Sequence, residues 1–184
     1  MHRIASIAIV LAIAASAAAA PDPRYVEVIR QAAADYTKWR KVDDTSRIAP
    51  TDCAAPLPPK PSHARMSAAD AESPHGKKLF YLWASHRDAY ANLRRSKLGI
   101  PVGFTIVKQS FVAVGDASSG YTTGAKKDLF VMTKIGDKPG SDDGWIYGTV
   151  SPDGKVTSAG RVDTCMHCHD DQATHERLFG LADL

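Results

Sequence analysis

The sequence predicts a mainly β (α+β) fold: an antiparallel sheet with an N-terminal helix, a helix after the first strand and a helix at the C-terminal end. Three observations predict it. Five strand-like runs lie between residues 79 and 158, and short Gly-, Pro-, Ser- and Asp-containing loops separate the last four. Such spacing favours sequential antiparallel neighbours. Tyr25, Ile29, Ala32, Tyr36 and Trp39 recur at alternating spacings of four and three, which puts them on one face of a helix. Near the end stands Cys165-Met166-His167-Cys168-His169, a C-x-x-C-H group.

Taken in order, residues 1–20 read as an export signal. His2 and Arg3 precede an apolar run from Ile4 to Ala15, and Ala17 to Ala20 offer small residues for cleavage. The run is short and alanine-rich for a membrane span. Residues 21–74 form the N-terminal helix and a proline-rich strap. Asp22-Pro23 is a capping side chain followed by proline at the first helical position, and the helix is expected to end near Val42. From Ala49 to Ser73, Pro56, Pro58, Pro59 and Pro61 break any helix or central strand. This stretch is either a strap across the surface or a flexible linker. Cys53, an odd third cysteine, is expected to be buried and inert or paired with a second chain.

Residues 75–184 form the main domain. Leu79–Ala84 is an apolar run suited to a strand covered on both faces. Ser85, with Asp88 three residues on, is expected to cap a helix that turns Ala89, Tyr90 and Leu93 inward. Phe104–Val114 is a strand. One face carries Phe104, Ile106, Lys108, Ser110 and Val112, the other Thr105, Val107, Gln109, Phe111 and Ala113. Neither is cleanly polar, so both are expected to be partly covered. Gly115–Gly124 reads as a loop and Leu129–Ile135 as the next strand. A loop at Asp137–Gly144 leads to a strand at Trp145–Val150, and Ser151-Pro152-Asp153-Gly154 turns it into Lys155–Ser158. The end, Asp170–Leu184, is expected to be helical, with Asp170 and Asp171 in its first turn and Leu178, Phe179 and Leu181 packing.

The C-x-x-C-H group is the signature of covalent c-type haem attachment. Each thiol can add to one vinyl group of the macrocycle, and the following histidine is carried beneath the iron. Cys165 and Cys168 are therefore the candidate haem-binding residues for one covalent haem c, and His169 is the candidate proximal iron ligand. A C-x-x-C redox pair or half a zinc site is the competing reading, but zinc wants further ligands at similar spacing. Haem c is attached outside the bacterial cytoplasm, so the motif and the export signal both point to the periplasm. A formal charge of +3, with no Lys/Arg-rich run, makes no case for nucleic acid. After signal cleavage no membrane association is expected.

Ordinary small cytochromes c are helical and carry this motif near the N-terminus. Here it follows several strands. That order resembles the cytochrome P-460 family and its relatives, the beta-sheet cytochromes c′. The matching residues are Pro101-Val102-Gly103-Phe104-Thr105-Ile106-Val107-Lys108, Leu129-Phe130-Val131-Met132 with Lys134, Trp145, Tyr147 and the haem motif. Pro74-His75-Gly76-Lys77-Lys78 also looks like exported members. The likeness runs from about His75 to the C-terminus. It implies an antiparallel β fold, a homodimer, and five-coordinate iron with His169 proximal and an open distal side. In hydroxylamine-oxidising members a lysine is cross-linked to the haem, and the matching position is Lys108. The beta-type cytochromes c′ lack that bond and wall the distal pocket with phenylalanine.

On its own chemistry, Lys108 is either a buried amine able to act as a nucleophile or a lysine that snorkels out at a sheet edge. Active members also carry a distal acid; the stretch before the motif offers Asp163 and no glutamate. Phe104 and Phe111, with Phe130 and Tyr121, are candidate distal-pocket residues, and equally good core. Arg161 is a candidate partner for a haem propionate, or a plain surface arginine. Three functions compete. One is oxidation of hydroxylamine or another small nitrogen compound, with electrons passed to a periplasmic partner. The second is binding of nitric oxide or a similar gas without turnover. The third is simple electron transfer with a sixth protein ligand, for which Met66, Met132, Met166, His63, His75, His86, His167 and His175 are formal candidates.

Overall fold

The computed structural model describes residues 20–42, 47–48, 78–91, 99–116, 118–173 and 176–178. Residues 1–19 of the expected export signal and the proline-rich strap with Cys53, His63, Met66 and His75 lie outside the described residues. So do Leu93, His175, Phe179 and Leu181.

Helix α1, Pro23–Asp35, starts as its sequence dictates: the Arg24 N–H donates to the Asp22 carboxylate at 3.0 Å, and proline fills the first position. The helix stops earlier than its apolar stripe suggests. A 3₁₀ turn at Tyr36–Lys38 follows, and Trp39 is already extended. The cause is tertiary: Arg40–Lys41 (β1) pairs with Lys78–Ala84 (β3), and the Val42 N–H donates to the Leu82 carbonyl at 2.8 Å. Arg47–Ile48 (β2) pairs with the same strand.

The other strands are Thr105–Asp116 (β4), Gly120–Lys134 (β5), Trp145–Val150 (β6) and Val156–Gly160 (β7). All seven form one antiparallel sheet in the order β1-β3-β4-β5-β6-β7, with β2 also on β3. The expected meander is therefore present. It runs further than expected, because the presumed loop at Gly115–Gly124 is largely the β4–β5 hairpin. Asp116 closes it: its Oδ1 accepts from the Ser118 hydroxyl at 2.6 Å and from the backbone N–H groups of Ser118 and Ser119, each at 2.8 Å, and these bonds hold the carboxyl far below its ordinary range. The hairpin projects past the covered part of the sheet, so it carries no apolar alternation to betray it.

Both faces of the sheet are covered. On one, α1 lays Tyr25, Ile29 and Ala32 against Val107, Val131 and Ile146. Gln109 is buried there with its amide satisfied, accepting from the Tyr36 hydroxyl at 2.8 Å and donating to the Ser110 and Lys127 carbonyls at 2.9 Å. Contact is closest at Gly148, where an added Cβ would meet the Ile29 side chain at 2.6 Å. Gly148→Val is expected to lower stability by about 1–3 kcal/mol through overpacking, and Ile29→Ala by about 2–5 kcal/mol through a cavity. Denaturant unfolding of the holoprotein measures both; a wild-type midpoint for either variant would mean that α1 does not pack there.

The opposite face carries Phe104, Ile106, Met132, Trp145 and Tyr147, with Val42, Ala84, Tyr90 and Leu178. Helix α2, Arg87–Ala91, follows β3 as expected. Ser85 ties the start of this segment to β4: its N–H donates to the Thr105 carbonyl and its hydroxyl accepts from the Thr105 N–H, both at 2.9 Å. The last helix, α3, is Asp163–Asp170. It contains the C-x-x-C-H group and ends where the C-terminal helix was expected to begin. Asp170 and Asp171 thus sit at a helix C-terminus, where the dipole disfavours negative charge, and Arg177 returns to pair with Asp170.

Candidate functional site

Helix α3 presents the motif. In a helix, residues three and four apart share a side, so Cys165, Cys168 and His169 line one flank. Cys165 and Met166 pack against the second-face core, while His167 is exposed. No disulfide joins the two thiols, and both are half-buried. Among the described residues, no group of three or more His, Cys, Asp or Glu side chains is arranged to hold a metal ion. The half-zinc-site reading gains no further ligand from them.

His169 is held from both sides of its ring. Its Nδ1 lies 2.6 Å from the Arg177 carbonyl oxygen. A carbonyl can only accept, so Nδ1 carries the proton and the lone pair lies on Nε2. The ring stands 5.5 Å from that of Tyr147. Burial lowers the imidazole's pKa, the Arg177 carbonyl opposes that, and the Lys108 charge adds to the lowering. A neutral ring with its tautomer fixed by a backbone acceptor is the form that ligates a metal through Nε2. The donor set, one such imidazole and two thiols on one helical flank, fits haem c: Cys165 and Cys168 would hold the macrocycle and His169 the iron.

Lys108 shares the face of β4 that carries Ile106, and His169 stands against Tyr147 on that same side of the sheet. In register, Lys108 stands between Leu82 of β3 and Phe130 of β5. Its ammonium lies 5.1 Å from the centre of the Phe80 ring and 5.0 Å from that of Phe130, both cation–π distances. Lys108 is half-buried in a strand with a neighbour on either side, so it does not stand at a sheet edge.

The structure does not bring the candidate phenylalanines together. Phe104 is fully buried on the motif's side, edge-on to Trp145 at 6.2 Å. Phe111 lies opposite Leu79 and edge-on to Tyr81 at 5.9 Å, on the α1 side of the sheet. Alternation along this stretch explains it, since an even number of residues lies between the two and they therefore face opposite sides. Phe111 is thus displaced from any pocket beside His169, and Phe80 and Phe130 stand nearer to Lys108. Tyr121 sits near the hairpin end, opposite Gly115. Arg161 is exposed and donates to the Ser141 carbonyl at 3.2 Å. Asp163 is exposed in the first turn of α3, where a carboxylate suits the helix dipole. Met132 is packed in the core, opposite Tyr147.

Sequence reasoning missed a buried polar chain beneath the motif. The Tyr147 hydroxyl donates to Asp142 Oδ2 at 2.9 Å, and burial with that carboxylate pushes the phenol far above its ordinary range. Asp142 also pairs with Arg177 at 3.2 Å. Asp142 belongs to a stretch that the sequence reads as a polar loop and Arg177 to one that it reads as a helix. Only the tertiary fold joins them.

A mainly antiparallel sheet followed by a helix that carries C-x-x-C-H defines a class: a sheet-based protein with the residues to hold haem c. The family model for Cytochrome P460 matches residues 33–180, and the chain belongs to that family. Family membership brings haem binding with it. The match begins inside α1, well before His75, in keeping with the packing of α1, β1 and β2 onto the common sheet. A comparison with individually curated proteins finds no match.

Proposed function

We propose that this is an exported, periplasmic cytochrome with one covalent haem c, whose iron takes His169 as its single protein ligand and reacts with hydroxylamine or another small nitrogen compound. Bound there, the haem would supply a redox-active iron with an open coordination position. The chain's own residues do the rest. Cys165 and Cys168 fix the macrocycle to α3, and the Arg177 carbonyl orients His169. Lys108, flanked by Phe80 and Phe130, is the residue placed to touch the haem edge from the sheet. Electrons would leave to a periplasmic partner protein, and the resemblance implies a homodimer.

The observation that carries this reading is the placing of Lys108 on the His169 side of the sheet, at the position where hydroxylamine-oxidising relatives bear their cross-link. Nitric oxide binding without turnover is the second reading. It is favoured by the aromatic rings around Lys108 and by Asp163, which points to solvent and offers no proton carrier. The first test is compositional. Intact mass of the mature holoprotein is expected to show one haem that survives denaturation, and Cys165→Ser/Cys168→Ser is expected to lose it. Haem that extracts into acidified organic solvent from the wild type would defeat the covalent assignment.

A further inference from the structure

We infer that Arg177 is a positioning residue for the axial histidine: a chain running from buried Tyr147 and Asp142 through Arg177 to the exposed Asp170 clamps the Arg177 carbonyl against His169 Nδ1 and so sets the reduction potential of the iron. This rests on the reading of His169 as the iron ligand. The acceptor belongs to the backbone of a segment that has left α3, so something outside the helix must hold it. The guanidinium does so. It is 11% exposed and lies 3.2 Å from Asp142, itself 7% exposed, while its Nη1 also donates to Asp170. Asp142 is fixed in turn by the Tyr147 hydroxyl at 2.9 Å. On either side, Glu176 pairs with Lys134 at 2.9 Å and Leu178 is buried in the core. Glu176 and Arg177 both take left-handed backbone angles, φ 56° and 58°, rare for residues other than glycine and sustained only where surroundings enforce them.

The consequence is chemical. A hydrogen bond from Nδ1 to a fixed acceptor raises the electron density at Nε2 and strengthens its bond to the metal. A stronger donor favours the oxidised iron and lowers the potential. Loosening the carbonyl should reverse both effects. A tether with a purely structural role would change the yield or stability of the protein and leave the haem signals alone.

The experiment uses the holoprotein. Arg177→Gln is expected to raise the reduction potential and lower the ferrous iron–histidine stretching frequency in resonance Raman spectra. Arg177→Lys, which keeps a charge for Asp142, should fall between Gln and wild type. Removing one partner of a buried ion pair can prevent folding. Tyr147→Phe is therefore the second variant, keeping the ring and deleting only the hydroxyl; it should move both signals the same way, less far. Wild-type values of both signals in folded Arg177→Gln, or in Tyr147→Phe if Arg177→Gln yields no soluble protein, would overturn the inference. A wild type with no iron–histidine signal from His169 would instead overturn the ligand assignment.

Discussion

His169→Ala is expected to give a folded protein that keeps its haem on Cys165 and Cys168 but loses the wild-type optical spectrum in both oxidation states. The fold should survive, because the substitution removes one hydrogen bond and leaves the Arg177 carbonyl without its donor, a cost of about 1–3 kcal/mol. That is small against a total stability of about 5–15 kcal/mol. The haem should stay, because attachment runs through sulfur. The iron should not stay as it was. Losing a partner in the outer shell of a metal ligand typically costs about 10–100-fold in metal affinity or activity, and here the ligand itself goes. Response to nitric oxide or hydroxylamine should fall by more than that. Adding imidazole should restore part of the spectrum, since the vacated space matches the ring. An unaltered spectrum in His169→Ala would show that another side chain ligates the iron, and the account of α3 would fail with it.

How much of this was legible depended on the range of the interaction. The C-x-x-C-H group is local, five consecutive residues whose spacing alone carries the chemistry, and the helix that presents it lies directly over them. The alternation along β4 was equally plain. It already placed Lys108 with Phe104 and opposite Phe111, so a single pocket holding both phenylalanines was at odds with the strand's own period. What was not legible was long-range. The end of α1 was set by the pairing of β1 with β3, not by the stripe that continued to Trp39. The β4–β5 hairpin extends as polar, exposed strand, with pairing but no apolar signal. Asp142, Tyr147 and Arg177 come from a loop, a strand and the chain's end, and no spacing rule links them. An isolated Asp reads as solvent-facing until a cation from elsewhere in the sequence is seen to lie beside it.

Lys108→Arg separates the two readings of the open iron. Arginine retains the positive charge and can still lie against the Phe80 and Phe130 rings, so the packing of β4 should change little. It differs in one respect that matters: its guanidinium does not shed a proton in proteins, whereas an amine beside apolar rings can become neutral and nucleophilic. If Lys108 is bonded to the haem, the variant must lose that bond. Its spectrum should then move to that of an ordinary c-type haem, and its hydroxylamine turnover should fall to background. The wild-type digest should contain the β4 peptide joined to the α3 haem peptide, and the variant digest should contain them apart. Covalent haem on α3 and His169 ligation should be the same in both, which makes the comparison specific to the sheet side. Coincident spectra and separate peptides in the wild type would end the hydroxylamine reading while leaving the haem protein intact. In that case Lys108 is a charge held between two rings beside a gas-binding iron, and the measurement to make next is the affinity of the ferrous protein for nitric oxide.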